Sequence, residues 1–374
     1  MLKIINVVGA RPNFMKMAPI VDAMRLHPNE IQQSLVHTGQ HYDEKMSQSF
    51  FVDLGIPQPD LNLEVGAGSH AQQTAGVMVS FEKVCLDLTP DLVIVVGDVN
   101  STMACTITAK KLGIKVAHVE AGLRSRDMAM PEEINRLCTD VISDYLFTTD
   151  EGATANLKAE GVDESKIHFV GNVMIDTLLK HKEKARALPF DRWNLKKGEY
   201  ATVTLHRPSN VDDQRTLQGI LEALHEIAQQ IKVVFPMHPR TRKMVSQFGL
   251  SHLLTDDISK PGIFAVEPLG YLEFLRLNMD AMMVLTDSGG LQEETTVLGI
   301  PCITLRHNTE RPITCDVGTN VIVGNDKQKI LAAAHSVLNG TAKQGRVPDK
   351  WDGKAAERIV DILIRLEGEI KSPV

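Results

Sequence analysis

The chain has 374 residues, more than one hydrophobic core usually supports, so we expect two domains. A hydrophobic content of 43% and a charged content of 23% are typical of a folded globular protein and argue against disorder. The net charge of -7 argues against general nucleic-acid binding, because that affinity comes from clustered Lys and Arg.

The five cysteines are odd in number and show no C-x-x-C spacing, so they predict neither a disulfide framework nor a zinc site. The first apolar run ends before Gly9, which is too short for a secretion signal. No stretch approaches the roughly 18 apolar residues of a membrane span. We therefore expect a cytoplasmic protein without a metal and without a membrane or nucleic-acid partner.

Short β-rich runs alternate with longer helical segments along the whole chain. In the first half the runs cover 4–8, 34–37, 92–96, 116–119, 145–148 and 168–170. In the second half they cover 201–205, 233–235, 263–266, 282–285, 302–305 and 321–323. This alternation predicts an α/β protein with two doubly wound, Rossmann-like domains, each a parallel sheet with helices on both faces.

The predicted N-terminal domain spans residues 1–175, and the C-terminal domain spans 200–354. A stretch rich in Lys and Arg between them, 176–199, predicts a linker. A helical pattern over 355–374 predicts a last helix that returns to the first domain. The first strand of each half also runs into Arg-Pro, at Arg11-Pro12 and Arg207-Pro208, which is consistent with two similar halves.

The segment from Thr286 to Glu294, which reads TDSGGLQEE, is the most informative in the chain. It follows an apolar run and opens a helical pattern, so it predicts a tight turn at a helix N-terminus. Free N–H groups and the helix dipole favour an anion there, Gly289 and Gly290 permit its close approach, and Ser288 adds a hydroxyl. Glu294 is placed to reach a ribose diol. The alternative is an ordinary strand–helix turn, since early helical glutamates are favoured by the dipole alone.

Polar residues follow nearly every predicted strand, at the edge where open α/β sheets bind ligands. They are Arg11, Gln40, His41, Asp98 and Glu120 in the first half, and His206, His238 and Ser288 in the second. The alternatives are helix caps or solvated acids for the carboxylates and locally bonded histidines. Glu132 and Glu133 follow Pro131 at a predicted helix start, where the dipole also favours acids.

Two cations, Arg11 and Lys16, flank the first strand-to-helix turn. Opposite an anion-binding helix end they would clamp a diphosphate, and the alternative is that they are surface cations. A dinucleotide site is not predicted, because the segment from Gly9 to Asn13 lacks the second and third glycines of G-x-G-x-x-G.

Six motifs in order resemble those of the non-hydrolysing UDP-N-acetylglucosamine 2-epimerases. They are Gly9-Ala10-Arg11-Pro12 through Lys16, Gly97-Asp98, His118 to Arg124, Pro131 to Arg136, Asp287 to Glu294 and Glu310-Arg311-Pro312. The resemblance covers nearly the whole chain. It implies two Rossmann-like domains that face each other across a cleft, as in glycosyltransferases of the B type, and we also expect a homodimer that needs no cofactor.

The resemblance implies reversible C2 epimerisation of UDP-N-acetylglucosamine to UDP-N-acetylmannosamine. UDP leaves by anti elimination to give 2-acetamidoglucal, then adds back while C2 is protonated on the opposite face. The implied proton-transfer residues are Asp98, Glu120, Glu132 and His206, and which carboxylate removes the C2 proton stays open. The UDP-binding residues implied by the resemblance are Arg11, His238, Phe274, Ser288, Gly289, Gly290, Glu294 and Arg311, to which the predicted clamp adds Lys16.

The chain also departs from the family pattern. Many relatives have Gln-His-Arg where this chain has Gln40-His41-Tyr42, in a region that binds a second, activating UDP-N-acetylglucosamine, so such activation is left open. Close relatives act on a 2,3-diacetamido uronate, which leaves the sugar substituents open. The rival functions are a glycosyltransferase of the same architecture, a hydrolysing epimerase and an inactive UDP-sugar sensor. The carboxylate set has no evident purpose in the glycosyltransferase or the sensor.

Overall fold

The computed structural model describes residues 1–39, 55, 58–189 and 193–372 and divides the chain into two compact units. Unit 1 contains Met1–Lys180 and Asp349–Val374, and unit 2 contains His181–Pro348. No helix in the described ranges is long and apolar enough to cross a bilayer.

Unit 1 is built on a parallel sheet of seven described strands in the order β3-β2-β1-β4-β5-β6-β7. The strands are β1 (Leu2–Val8), β2 (Ile31–His37), β3 (Leu61–Asn62), β4 (Leu92–Val96), β5 (Lys115–Ala121), β6 (Tyr145–Thr148) and β7 (Ile167–Phe169). The helices between and after them are α1 (Arg11–Arg25), α2 (His70–Leu88), α3 (Asn100–Lys111), α4 (Pro131–Ile142), α5 (Glu151–Ala159) and α6 (Val173–Ala187).

Unit 2 repeats this plan with the strand order β10-β11-β9-β8-β12-β13-β14. Its strands are β8 (Tyr200–Thr204), β9 (Lys232–Pro236), β10 (Leu254–Thr255), β11 (Ile263–Val266), β12 (Met283–Thr286), β13 (Cys302–Thr304) and β14 (Asn320–Ile322). Its helices are α7 (Pro208–Val211), α8 (Gln214–Ile227), α9 (Pro239–Gln247), α10 (Tyr271–Met279), α11 (Gly289–Leu298), α12 (Pro312–Asp316) and α13 (Lys327–Leu338). The predicted α/β class with two Rossmann-like halves is confirmed.

The central strands form because they are apolar on both faces. Strand β4 reads LVIVV and every residue of it is buried, as a parallel sheet covered by helices on both sides requires. The strand order reverses between β1 and β4 in unit 1 and between β8 and β12 in unit 2. Ligands of open α/β sheets bind beyond the carboxyl ends of strands at such reversals, so each unit has one preferred place for a site.

The C-terminal segment folds back onto unit 1. Asp176 accepts hydrogen bonds from the N–H groups of Ala355 and Ala356 at 3.2 and 2.7 Å, where helix α14 (Ala355–Arg365) begins. Burial raises the pKa of the Asp176 carboxyl to about 6, against the opposing effect of these two bonds. A short helix, α15 (Glu367–Ile370), follows, so the predicted helix over 355–374 is divided in two.

The predicted linker, 176–199, overlaps helix α6, which continues to Ala187. The basic residues of this stretch lie on the solvent side of α6, where Lys180 and Lys184 are exposed while His181 and Ala185 are buried. Over the first half of this segment, the charged residues therefore belong to the solvent-exposed face of a helix.

Candidate active site

Glu120 lies near the end of β5, at a break in the strand pairing. The register with β6 shifts between Val119 and Ala121, and Glu120 takes a φ of 74°. A non-glycine residue in this left-handed region costs of the order of 1–3 kcal/mol. Its buried carboxylate forms an ion pair with the buried ammonium of Lys16 on α1. Strain of this kind beside a buried acid is typical of functional sites.

Gly97 makes room for this ion pair directly after β4. It has a φ of 70°, and a Cβ there would lie 3.2 Å from Lys16 Nζ and 3.6 Å from Glu120 Oε2. A glycine is needed because it accepts the left-handed conformation and leaves this space open. The structure thus places Lys16 against Glu120 and beside Gly97. Its predicted contact with a diphosphate stays a prediction, and the side chain of Arg11 lies outside the described part of the chain.

Arg136 orients the carboxylate of Asp98. Nε and Nη2 of Arg136 donate to Asp98 Oδ2 at 3.1 and 2.7 Å, and the same guanidinium pairs with Glu133. Glu133 also accepts the N–H groups of Ser125 and Arg126 at 3.0 and 2.9 Å. Arg136 and Glu133 are buried, whereas 25% of the Asp98 side chain is exposed. Asp98 is therefore held by Arg136 while part of its side chain remains exposed.

The two acids at the start of α4 have different surroundings. Glu133 is buried and accepts hydrogen bonds from two N–H groups of the preceding loop. Glu132 is half-buried, and within the described ranges no residue forms a hydrogen bond or ion pair with its carboxylate. Of the two, Glu132 is the acid available for proton transfer.

A buried hydrogen-bond network connects the end of β4 to helix α4. Nε2 of His118 lies 2.9 Å from the Gly97 carbonyl, and Nδ1 lies 2.6 Å from Asp140 Oδ1. Arg124 donates to the other Asp140 oxygen at 2.7 Å. Burial opposes ionisation of Asp140, but His118 and Arg124 together hold its pKa below the usual value. Both ring nitrogens of His118 thus face acceptors, so the ring ties the β4 end to α4.

In unit 2, His206 follows β8 and is oriented by Asp287. Nδ1 of His206 lies 2.9 Å from Asp287 Oδ1, and Asp287 also accepts the N–H groups of His206 and Arg207. Burial of Asp287 opposes its ionisation, but the bonds from His206 and these amides keep its pKa below the usual value. An ionised Asp287 accepts a hydrogen bond from the Nδ1–H group of His206. Nε2 of a half-exposed ring is then the nitrogen that can exchange a proton with a ligand.

The predicted serine-glycine turn is present. Ser288 is the N-cap residue of α11, and its side chain makes no capping hydrogen bond. At Gly289 a Cβ would lie 2.7 Å from Arg311 Nη1, so a glycine is needed for Arg311 to approach the helix end. The buried Arg311 donates to Glu293 at 2.7 Å and to Glu310 at 2.5 Å. The turn therefore offers helix N–H groups and a hydroxyl beside a guanidinium that two acids hold in place.

Glu294 lies deeper in α11 and is buried. Tyr271 of α10 donates a hydrogen bond to it at 3.3 Å, and burial raises the pKa of Glu294 to about 7 despite this bond. Phe274, one turn along α10, is partly exposed against an apolar cluster of unit 2. His238 is the exposed N-cap residue of α9 after β9, and its pKa is lowered by burial of the ring and by the charge of His206.

The predicted residues thus form two groups. In unit 1, Lys16, Asp98 and Glu120 gather around the carboxyl ends of β4 and β5, with Glu132 on the adjoining α4. In unit 2, His206, His238 and Ser288 follow the neighbouring strands β8, β9 and β12. The segment Gln40-His41-Tyr42-Asp43, which differs from the family pattern, lies outside the described residues.

Comparison with known proteins identifies the family of the chain. The family model for UDP-N-acetylglucosamine 2-epimerase matches residues 24–364. The chain belongs to the UDP-N-acetylglucosamine 2-epimerase family. The predicted resemblance is therefore confirmed, and with it the isomerase class.

Relatives match this epimerase over almost its whole length. The UDP-N-acetylglucosamine 2-epimerase of Methanocaldococcus jannaschii is 44% identical, covering 97% of this chain and 99% of the relative. A crystal structure of that epimerase with UDP-N-acetylglucosamine and UDP has a TM-score of 0.87, and the match covers 97% of this chain and all of the other. The UDP-2,3-diacetamido-2,3-dideoxy-D-glucuronate 2-epimerase of Pseudomonas aeruginosa is 40% identical, covering 98% of this chain and 100% of the relative.

A more distant match concerns only the fold of this epimerase. A lipopolysaccharide outer core galactosyltransferase is 14% identical, with a TM-score of 0.52 over 99% of each chain. This match is consistent with the predicted glycosyltransferase-B-like architecture.

Sequence reasoning on this epimerase gave no role to Arg136, Asp140 and Asp287. A signal existed for the first two, because Glu133, Arg136 and Asp140 are spaced by three and four residues and so share one face of α4. That spacing predicts a polar face. It does not reveal that the face is turned inward, which the structure shows.

Proposed function

We propose that this epimerase interconverts UDP-N-acetylglucosamine and UDP-N-acetylmannosamine by reversible inversion at C2. The observation that carries the proposal is the trio of acids in unit 1, each with a different environment. Glu120 is buried beside a lysine, Asp98 is aimed by an arginine, and Glu132 is half-buried without a partner in the described chain. Inversion at C2 needs a proton acceptor on one face and a donor on the other, and this trio supplies more than the two required groups.

The proposed reaction begins with removal of the C2 proton by one carboxylate. The electron pair of the broken C–H bond forms the C1–C2 double bond, and the C1–O bond breaks with its electrons leaving on UDP. Delivery of a proton from a second acid to the opposite face of C2, with attack of a UDP oxygen at C1 as the double bond opens, completes the inversion. Lys16 forms an ion pair with Glu120 and so holds that carboxylate in place at the end of β5.

We propose that unit 2 holds UDP through the residues of the serine-glycine turn. Ser288, Gly289, Gly290 and Arg311 would meet the diphosphate, with His238 beside it. Helix N–H groups and fixed cations stabilise the departing UDP without rearranging as its charge develops. His206, oriented by Asp287, is the candidate to protonate or assist that departure. Glu294 would bind the ribose and Phe274 would lie near the uracil.

The decisive experiment follows hydrogen exchange at C2. Purified protein is incubated with UDP-N-acetylglucosamine in deuterated water, and NMR follows the product and the C2 signal. We expect UDP-N-acetylmannosamine to form with deuterium at C2. Turnover without exchange at C2 would exclude the elimination mechanism. Release of free N-acetylmannosamine would indicate a hydrolysing epimerase, and sugar transfer to an added acceptor without inversion would indicate a glycosyltransferase.

The second candidate substrate is a UDP-linked 2,3-diacetamido uronate, because a relative named for it is 40% identical over the full chain. The same exchange experiment is run with both nucleotide sugars at equal concentration. Faster C2 exchange in UDP-N-acetylglucosamine is the expected outcome. Faster exchange in the uronate would keep the mechanism and change the substrate.

Glu294 is expected to make UDP binding depend on pH. Its pKa is raised to about 7, and the ionised carboxylate accepts hydrogen bonds from ribose hydroxyls better than the neutral acid. Ionisation rises from roughly a tenth at pH 6 to nine tenths at pH 8, so affinity should increase by about tenfold across this range. UDP itself also titrates near pH 6, so Glu294→Gln serves as the control.

Titration calorimetry of UDP between pH 6 and pH 8 measures this difference. The wild type should show the steeper increase, and Glu294→Ala should weaken UDP binding at pH 8 by about 1 to 3 kcal/mol. An identical pH dependence in wild type and Glu294→Gln, with unchanged affinity in the alanine variant, would remove Glu294 from the nucleotide site.

We also propose that the protein works in the cytoplasm as a homodimer. Support for a reducing compartment comes from the cysteines, all five of which are free thiols. Three of them, Cys85, Cys105 and Cys302, are buried, and the first two belong to an apolar cluster of unit 1.

A further inference from the structure

Four buried charged side chains form a series of ion pairs beside the serine-glycine turn of unit 2. Nη2 of Arg306 donates to Glu310 Oε2 at 2.9 Å, and Nη1 of Arg311 donates to Glu310 Oε1 at 2.5 Å. Nε of Arg311 donates to Glu293 Oε1 at 2.7 Å. All four residues are buried. Cations and anions therefore alternate, and we call this set the ion-pair chain: Arg306, Glu310, Arg311 and Glu293.

The ion-pair chain lies against the start of helix α11. A Cβ at Gly289 would lie 2.7 Å from Arg311 Nη1 and 2.9 Å from Glu310 Oε1, so the central pair of the chain reaches the helix N-terminus. The backbone N–H of Arg311 donates to Thr309 Oγ1 at 3.1 Å, and that hydroxyl donates to Gln292 of α11 at 2.7 Å. Arg311 is thus tied to α11 through its backbone as well as through its guanidinium.

Glu310 is the shared acceptor of the ion-pair chain. Burial opposes its ionisation, but the charges of Arg311 and Arg306 hold its pKa well below the usual value. A third cation, Arg207, brings Nη2 to 3.9 Å from Glu310 Oε1. Counting Glu293, two carboxylates meet three guanidiniums among the described residues, so positive charge is in excess. Because Arg306 contacts one oxygen of Glu310, Arg311 does not neutralise this acid alone.

Arg306 itself is shielded from solvent. It is 6% exposed, and its Nη1 is buried without a hydrogen-bond partner in the described part of the chain. A buried donor without a partner costs about 1–3 kcal/mol, and apolar replacements of buried ion pairs are often at least as stable. Stability alone therefore does not explain an arginine at this position, whereas its contact with Glu310 does.

We propose that Arg306 is a positioning residue for UDP binding, which acts on the diphosphate through Glu310 and Arg311 without touching the nucleotide. Arg306 balances part of the charge of Glu310, so Arg311 keeps positive charge for the phosphates while Glu310 holds its guanidinium in place. Without Arg306, the charge of Glu310 is balanced mainly by Arg311, and the remaining negative charge repels the phosphates. This inference rests on the proposed function, in which Arg311 meets the diphosphate.

The test compares ligands that differ in phosphate charge, using full-length Arg306→Gln. Calorimetry with UDP and UMP and NMR titration with uridine measure the affinities. We expect UDP affinity to fall by about tenfold, the scale of coupling within one ion-pair network, and uridine affinity to stay within about twofold. The loss for UMP should lie between the two. Unchanged UDP affinity, or equal losses for all three ligands as a general structural effect would give, overturns the proposal.

Two further variants separate the effect of charge from the effect of folding. Arg306 meets Glu310 through one nitrogen, so Arg306→Lys keeps both the charge and the donor, and its UDP affinity should lie within about threefold of the wild type. Arg346→Gln is the matched control, because Arg346 is an exposed arginine of unit 2, and it should bind all three ligands like the wild type. A lysine variant as weak as Arg306→Gln would contradict the proposal.

A double variant tests the route through Arg311. Arg311→Ala should weaken UDP binding by itself, and adding Arg306→Gln should then change UDP affinity by less than about twofold, because the cation through which Arg306 acts is absent. Losses that add in full would mean that Arg306 acts independently of Arg311, and the proposal would be wrong. A wild type that binds UDP and responds to Arg306→Gln as expected, but shows no exchange at C2, would contradict the proposed function and leave the positioning role standing.

Discussion

Asp98→Asn, Glu120→Gln and Glu132→Gln are each expected to lower epimerisation by about 100-fold or more, the usual scale of a lost general acid or base. The amides keep the shape of the acids and part of their hydrogen bonding, but they cannot take up a proton. UDP affinity should stay within about tenfold of the wild type, a change of less than 1.4 kcal/mol, because the proposed phosphate-binding turn belongs to unit 2. Initial rates and titration calorimetry with UDP measure the two effects.

The three variants should differ in stability. Glu120→Gln leaves the buried Lys16 without its counter-charge, so its melting temperature should fall. Glu132→Gln removes no contact of the described structure and should melt like the wild type. Glu151→Gln, at an exposed acid in the first turn of α5, is the matched control and should keep wild-type turnover and stability.

Exchange at C2 separates the roles of the three acids. A variant that still brings deuterium into recovered substrate has kept removal and return of the proton on the starting face. It has therefore lost the acid that serves the other face. Near wild-type turnover in all three variants would mean that these carboxylates are helix-start and loop acids, and the elimination mechanism would have to be abandoned.

Arg136→Ala is expected to lower the free energy of unfolding by about 3–5 kcal/mol, the usual cost of leaving a buried charge without its partner. Arg136 and Glu133 are both buried, and the alanine leaves Glu133 with two backbone N–H groups but no cation. It also releases Asp98 from two hydrogen bonds. Denaturant unfolding monitored by circular dichroism measures the change.

Arg136→Lys keeps the charge and loses the planar fork that meets Asp98 and Glu133 together. It should fold more stably than the alanine variant yet lower turnover by about 100-fold, because Asp98 is no longer fixed. Arg25→Ala is the control: Arg25 pairs with Asp22 on the exposed side of α1, and its loss should cost less than about 1 kcal/mol. Stability losses of equal size at Arg25 and Arg136 would show that the buried pairing does not contribute as argued.

Much of the fold was predictable because it depends on local pattern. Strand β4 is an uninterrupted apolar run followed by Gly97 and Asp98, so both its position and the acid at its end follow from the sequence. The helix start at Gly289 follows likewise from an apolar strand, a serine N-cap and two glycines. Local chemistry did not predict that α6 runs into the basic segment, since lysines suit a solvated helix face as well as a linker.

The amino-acid pattern alone predicted the α/β class, the carboxyl-end positions of Asp98, Glu120 and His206, and a serine-glycine turn at Ser288. Each of these follows from residue types and spacings within one segment. The three-dimensional structure was needed to show that Glu133 binds the loop while Glu132 stays available, and that Lys16 pairs with Glu120. It also turned the polar side of α4 inward. The Lys16–Glu120 pair joins residues far apart in the chain. It depends on the order of strands, and the burial of α4 depends on the packing of helices, neither of which periodicity encodes.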